Sequence, residues 1–342
     1  MSRRPLPRAL VVAAATLGGV VACGSGRAPE LASIDLDAQR VAVAGLSSGA
    51  AMATQVHFAL NARVQGAALV AGVPYGCAQG ALEIALGPCM TAQPEAPGVA
   101  MLADVARQRA AQHTIAPLSD FAGDRVLVLH GTKDATVSPK LAAVSAGLYR
   151  ELGGEALSVA LDDQRAFGHG LPTLGASAGC EAAVSPWLLD CGIDGAGLVM
   201  RALFGADGDV EGEAATAATG TLARFDQTAL VPEGASGLAD TGYVYTPSAC
   251  ADDRCGALVV FHGCQQNAES VGEAVARHAG FNRWADRYSV VVVYPQTQSS
   301  YLPLNPKACW DWWGYGGADY DLKRGGQVRF VAALLDRLEG KR

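Results

Sequence analysis

Five consecutive residues carry the first chemical signal. Gly45-Leu46-Ser47-Ser48-Gly49 fits Gly-x-Ser-x-Gly, between a β-rich run (Arg40 to Ala44) and a stretch of helix formers (Ala50 to Leu60). Two glycines allow a tight strand-to-helix turn that pushes the Ser47 side chain outward. The Ser48 N–H then starts the helix, where backbone donors lack internal partners and favour an oxyanion. A serine nucleophile needs a base, and the base needs a carboxylate to orient it.

Six histidines could supply the base. His57 lies on the helix just after the serine, and His113 precedes any workable acid. His130 and His262 end strands, the usual place of a satisfied structural histidine. His278 is on a polar-faced helix. His169 remains, in the loop Phe167-Gly168-His169-Gly170, with Pro172 close behind. For the acid, Asp134 follows the strand Arg125 to Leu129 and the dipeptide His130-Gly131. Asp162 and Asp163 read as strand-end surface charges, and Asp120 and Asp124 as turn residues. The order Ser, Asp, His is that of α/β-hydrolases.

An oxyanion hole needs a second N–H from the end of another strand, and no such strand precedes Ser47. Downstream, Ala257 to Phe261 runs into His262-Gly263-Cys264-Gln265-Gln266, which makes the Cys264 N–H the second donor. The alternative is a plain strand end, with the hole completed elsewhere. Oxyanion strand, nucleophile, acid, base is the expected order; here the oxyanion strand comes last. A circular permutation would produce that rotation, and it is tolerable because domain termini usually lie close together at the surface. The final helix, about Gln327 to Leu338, would lead into the serine strand if the ends were joined.

These residues need rigid elements behind them. Apolar runs at Gly66 to Val70, Arg125 to Leu129, Ser158 to Leu161, Gly242 to Thr246, Ala257 to Phe261 and Val290 to Tyr294 alternate with helical stretches at Lys140 to Leu152 and around Phe281 and Trp284. Continuous apolar strands alternating with helices predict an α/β fold with a mostly parallel sheet covered on both faces. Ala206 to about Gly242 reads as a loop-like excursion.

The 342 residues carry a formal net charge of −7, half are hydrophobic and 17% are charged. That excludes a disordered chain. The 41 glycines follow no fixed period, so the chain is not collagen-like. No Lys/Arg cluster marks a nucleic-acid partner.

Arg3, Arg4 and Arg8 precede a small apolar run, Ala9 to Ala22, shorter than a membrane span. Residues 1–22 are expected to be a signal peptide. Ala22-Cys23 resembles a lipobox, with Cys23 as the lipidated residue and the only membrane link. Residues 23–33 read as a tether, and 34–342 as one catalytic domain. Of nine cysteines, removing Cys23 leaves an even set, with no Cys-x-x-Cys pair for zinc. In an oxidising compartment four disulfides are expected. Proximity pairs Cys77 with Cys89, Cys180 with Cys191 and Cys250 with Cys255; elimination leaves Cys264 with Cys309.

The segments GLSSGAAM, HGTKDATV, FGHGLPT, VVFHGCQQ, VVVYPQ and CWDWWGY together resemble the extracellular poly(3-hydroxybutyrate) depolymerases of the single-domain, circularly permuted kind. The matches run from about Val41 to Tyr315. The resemblance implies an exported serine esterase acting on poly(3-hydroxybutyrate) or its oligomers, without metal or organic cofactor. Its triad falls on Ser47, Asp134 and His169, and its oxyanion donors on the amides of Ser48 and Cys264. It also implies a tryptophan that contacts polymer: Trp310 first, then Trp312 and Trp313. Read on their own, these rings either line a groove for an aliphatic polyester or pack in the core. A monomer on the periplasmic or outer side of the cell is expected. Two other readings stay open: a feruloyl or acetylxylan-type carbohydrate esterase, and a non-catalytic surface-binding lipoprotein.

Overall fold

The computed structural model describes residues 27–205 and 217–341. The residues read as a signal peptide, and Cys23, lie outside the described residues.

The chain begins with β1 (Leu36–Leu46), α1 (Ser48–Leu60), β2 (Gly66–Val70), α2 (Leu82–Leu86), α3 (Val99–Ala111), β3 (Arg125–Leu129), α4 (Lys140–Gly153) and β4 (Ser158–Asp162). Three short strands follow, β5 (Leu171–Pro172), β6 (Ala178–Gly179) and β7 (Leu188–Asp190), then α5 (Gly195–Phe204). The second half contains β8 (Thr221–Asp226), β9 (Thr241–Thr246), β10 (Cys255–Phe261), α6 (Ala268–Val271), α7 (Ala274–His278), α8 (Phe281–Tyr288) and β11 (Val290–Tyr294). The hairpin β12 (Ser300–Tyr301) and β13 (Leu304–Asn305) and the long helix α9 (Gly326–Leu338) complete it.

Eight strands form the main sheet in the order β4-β3-β2-β1-β10-β11-β9-β8. The six from β4 to β11 run parallel, while β9 and β8 join antiparallel at one edge. The reason is in the side chains. β2, β10 and β11 are buried along their whole lengths, as central strands covered on both faces must be. In β1, Val41 and Val43 enter the core beneath α1, α3 and α9, while Ala42 and Ala44 enter the core beneath α5 and α8. α1 is alanine-rich and buried nearly all round, which lets it sit close to the sheet. Phe58 anchors it by stacking on Tyr75 with ring centroids 4.1 Å apart.

The rotated order is visible in space. β1 and β10 are neighbours, with Ala44 opposite Val260 and Gly45 opposite Phe261. The Ile34 N–H donates to the Leu338 carbonyl at 2.9 Å, so the entry to β1 meets the end of α9. Joining them would place β10, the strand that runs into His262-Gly263-Cys264, ahead of β1, the strand that runs into Ser47. The fold is a circularly permuted α/β-hydrolase.

Two expectations are corrected. The segment read as a tether is held to the body at three points in its described part: Arg27 pairs with Asp226, Arg337 with Glu30, and Leu31 is buried in the core, while Pro29, Ala32 and Ser33 stay exposed. The segment read as a loop-like excursion contains β8, an edge strand whose exposed half hides its strand character in a hydrophobicity reading. The four disulfides are those expected, Cys77–Cys89, Cys180–Cys191, Cys250–Cys255 and Cys264–Cys309.

Candidate active site

Ser47 occupies the turn between β1 and α1 with φ of 56° and ψ of −119°. That conformation costs a non-glycine residue roughly 1–3 kcal/mol and clusters at functional sites. It is held from both sides: the Ser47 N–H donates to Val70 O at 2.9 Å, and its carbonyl accepts from Ala51 N at 3.1 Å. The glycines explain the turn. A Cβ on Gly45 would lie 2.2 Å from the Gly49 carbonyl, and one on Gly49 would lie 2.1 Å from Phe261 O. The Ser48 N–H, at the start of α1, has no turn before it to bond.

The candidate acid and base, Asp134 and His169, follow β3 and β4. His169 Nδ1 lies 2.8 Å from Asp134 Oδ2. A carboxylate accepts only, so Nδ1 carries the proton and donates, and Nε2 is left as the basic nitrogen. Asp134 Oδ1 accepts from the amides of Thr136 at 2.8 Å and Val137 at 2.9 Å, which fixes the carboxylate plane. The loops themselves are laced together, Thr132 N to Arg165 O at 2.8 Å and Lys133 N to Phe167 O at 3.1 Å.

His130 is the residue the sequence reading passed over. Its Nε2 lies 3.1 Å from Asp134 Oδ2 and 3.0 Å from Val137 O, with the ring fully buried. Burial alone would push the Asp134 carboxyl up, but hydrogen bonds from His130, His169 and the Val137 amide outweigh it and hold the group well below the usual carboxylate range. The i, i+4 spacing of His130 and Asp134 was the available signal. His57, by contrast, is sealed in the core between Asp124 at 3.0 Å and Tyr149 at 3.1 Å. His278 is exposed.

Ser47, Ser48, His169 and Cys264 line one cleft of about 530 Å³. Its walls are largely apolar and include Val73, Leu82, Leu86, Trp187, Leu304, Trp312 and Trp313. Trp187, Leu82, Leu86 and Leu304 were not singled out from sequence, since Trp187 stands alone in a loop and α2 and β13 are too short to show a periodic pattern. Trp310, the first choice for polymer contact, is corrected: it is 0% exposed, packed edge-on against Phe261 at 4.9 Å, and does not line the cleft. The segment after it is irregular. The buried Asp311 carboxylate accepts the amides of Gly314 at 2.7 Å, Tyr315 at 3.0 Å and Gly316 at 2.7 Å, which turns Trp312 and Trp313 toward the cleft while Trp310 stays in the core. Among the described residues no three His, Cys, Asp or Glu side chains converge to hold a metal ion.

This arrangement has the parts for acyl transfer: an exposed alcohol, an imidazole in a fixed tautomer, a buried carboxylate and two backbone donors beside an apolar groove. Known proteins resemble this one in sequence and in shape. A poly(3-hydroxybutyrate) depolymerase of Delftia acidovorans is 33% identical over 335 residues, which is 96% of this chain and 66% of that protein. A polyhydroxybutyrate depolymerase of Talaromyces funiculosus is 28% identical over 340 residues, 93% of this chain and 96% of that one. The crystal structure of the PHB depolymerase from Penicillium funiculosum superposes with a TM-score of 0.81 at 25% identity, covering 92% of this chain and all of that one. A PHB depolymerase bearing a serine-to-alanine substitution and complexed with R3HB trimer gives a TM-score of 0.80 at 26% identity, over 92% of this chain. A family model described as esterase PHB depolymerase matches residues 241–342, the part that holds the Gly263–Cys264 turn and the tryptophan segment. Shared sequence along nearly the whole chain, on a shared permuted frame, places this protein in the PHB depolymerase family of serine esterases.

Proposed function

We propose that this protein hydrolyses poly(3-hydroxybutyrate) or its short oligomers through an acyl-enzyme formed on Ser47. The observation that carries the reading is the convergence of Ser47, at its positive-φ turn, and His169, bonded to Asp134, on one apolar cleft.

Ser47 Oγ attacks the ester carbonyl while His169 Nε2 takes its proton. Asp134 keeps the imidazole in the required tautomer and stabilises the imidazolium. The amides of Ser48 and Cys264 receive the oxyanion. His169 then protonates the leaving hydroxyl, and water releases the acyl group by the same route. The apolar walls suit an aliphatic polyester, with Trp312 and Trp313 as the contacting rings. The β12–β13 hairpin continues from the cleft wall at Leu304 (58% exposed) to Tyr301 (84%) and Leu302 (96%). Large apolar groups exposed together mark a contact surface, here for the polymer.

The protein is exported, in keeping with four disulfides. A lipid on Cys23 and a monomeric state are the finer parts of this proposal. Labelling with a fatty acid, lost on Cys23→Ser, tests the first, and light scattering tests the second.

The deciding experiment offers the purified protein three substrates: polymer film, hydroxybutyrate trimer and a feruloylated sugar. The expected result is release of hydroxybutyrate, abolished by Ser47→Ala, with fluorophosphonate labelling of the unmodified protein only. Release of ferulate without hydroxybutyrate would move the protein to the carbohydrate esterases. Failure of the probe to label Ser47 would favour a binding protein.

A further inference from the structure

His262 was read from sequence as a satisfied structural histidine. Its surroundings assign it more. The carbonyl of Gly263 and the N–H of Cys264 belong to one planar trans peptide, so they point in opposite directions. Whatever holds the Gly263 carbonyl therefore aims the Cys264 N–H. Two groups hold it, His262 Nδ1 at 2.7 Å and the Gln266 amide at 3.2 Å.

The imidazole has one arrangement open to it. Its Nε2 accepts the Thr297 amide at 3.2 Å, so the proton must be on Nδ1, facing Gly263 O. Thr297 Oγ1 donates to Ala308 O at 2.6 Å, which ties the ring's support to the residue beside Cys309. The ring is buried, and burial pushes its pKa down to about 4, so it stays neutral at ordinary pH. The other side of Gly263 is fixed as well: its N–H donates to Gln266 Oε1 at 2.6 Å, and Gln266 Nε2 donates to Pro186 O at 2.6 Å. A Cβ on Gly263 would lie 3.5 Å from Ser47 Cβ, so the clamped peptide sits directly against the nucleophile. Cys264 itself lines the cleft.

We infer that His262 is a positioning residue for catalysis: its Nδ1–H, with Gln266 on the opposite side, locks the Gly263–Cys264 peptide so that the Cys264 N–H faces the oxyanion. A peptide released from this clamp can turn its carbonyl toward the developing negative charge, which replaces a stabilising dipole with a repelling one. The inference rests on the assignment of Ser47 and of the Cys264 amide under Proposed function.

The test compares His262→Leu with His262→Asn, on hydroxybutyrate trimer and with an alkyl boronic acid that forms a tetrahedral anion on a reactive serine. An Asn side-chain amide places an N–H donor near the position of Nδ1, whereas Leu has none. Removing an oxyanion donor outright costs about 10²–10³ in kcat, so misaiming one is expected to cost about 10–100-fold. His262→Leu should lose that much kcat with KM changed less than about twofold, and boronate affinity should fall in parallel. His262→Asn should recover most of both. A role confined to packing would lower Tm while leaving boronate affinity and kcat of the folded fraction alone, and that result overturns the inference. Should the Leu variant not fold, Gln266→Leu replaces it, with the same selective loss expected and the same unchanged pair of values counting against. Ser47→Ala run alongside separates the two levels. Full activity in that variant defeats the assignment of the nucleophile; an inactive Ser47→Ala beside unaffected His262 and Gln266 variants defeats only the positioning role.

Discussion

A methyl group on Gly49 would sit 2.1 Å from the carbonyl oxygen of Phe261. No side chain fits there. The start of α1 is pressed against the end of β10, two segments far apart in the chain that the pairing of β1 with β10 brings together. That contact brings the Ser48 amide and the His262–Cys264 turn to the same side of Ser47. Gly49→Ala must push them apart. Overpacking of this kind costs about 1–3 kcal/mol in stability. Misplacing two oxyanion donors together should lower kcat at least about tenfold. Unfolding curves and kcat on a soluble ester measure the two effects. A variant with native kcat would mean the turn has slack that its geometry denies.

The link from His130 to Asp134 gives a second prediction. His130→Leu removes an N–H that lies 3.1 Å from the carboxylate, while His130→Gln keeps a donor near the place of Nε2. A hydrogen bond to a charged group contributes about 1.5–3 kcal/mol, so the Leu variant should lose roughly tenfold or more in kcat/KM and the Gln variant much less. The pH dependence has a definite sign. The Asp134 carboxyl is held below its unfolded value of 3.8 once its bonds outweigh burial, so its stabilising contribution is complete above that pH and fades as pH falls further. The stability gap between the native protein and His130→Leu should therefore be widest near neutrality and narrow below pH 4. A constant gap across that range would exclude coupling between the two groups.

The central strands and the nucleophile turn could be read from sequence because each is written locally. RVLVL and VVVVY are continuous apolar runs, and Gly-x-Ser-x-Gly falls between a strand and a helix. The pairing of Asp134 with His169 was also legible, since α/β order and strand ends narrow the choice to these two residues. What stayed hidden depends on contacts between distant segments. His130 looks like any strand-end histidine until Asp134 is seen to turn back onto it. Trp310 and Trp313 are three positions apart in an irregular segment, so alternation could not say which faces the cleft; the amide bonds to Asp311 decide it. β8 escaped notice because an edge strand needs few apolar residues, and the attachment of the segment from Arg27 because it rests on one buried residue, Leu31, and two ion pairs.

The tryptophans separate by what their loss should do. Trp310 is enclosed, with its ring against Phe261 and near His262, so Trp310→Ala opens a cavity and should cost about 3–5 kcal/mol. Trp313 is half-buried at the cleft wall, beside Trp312 and Tyr315. Trp313→Ala should leave Tm nearly unchanged and raise KM for hydroxybutyrate trimer several-fold, with a smaller effect on a short soluble ester that does not reach the ring. Equal losses on both esters would remove Trp313 from substrate contact. Thermal unfolding and paired kinetics on the two substrates make the comparison.

Two buried groups near the site should pull the pH dependence of folding in opposite directions. His262 titrates at 6.5 unfolded and near 4 in place, because burial disfavours its cation. The unfolded chain thus binds the extra proton between those values, and His262 contributes stability that is full above 6.5 and lost as pH falls toward 4. Asp311 behaves in reverse. Burial pushes its carboxyl from 3.8 to about 6, although the amides of Gly316, Gly314, Tyr315 and Trp313 favour the charged form. Its contribution is full below 3.8 and lost as pH rises through 6. Each amounts to about 3 kcal/mol at one pH unit per 1.36 kcal/mol, so between pH 4 and 6 they largely cancel. Removing one exposes the other. Relative to the native protein, His262→Asn should lose stability with rising pH across this window, and Asp311→Asn should gain it. Urea unfolding at pH 4.5 and 6.5 reads both slopes. Parallel slopes for the two variants would mean that burial does not dominate at one of the two groups.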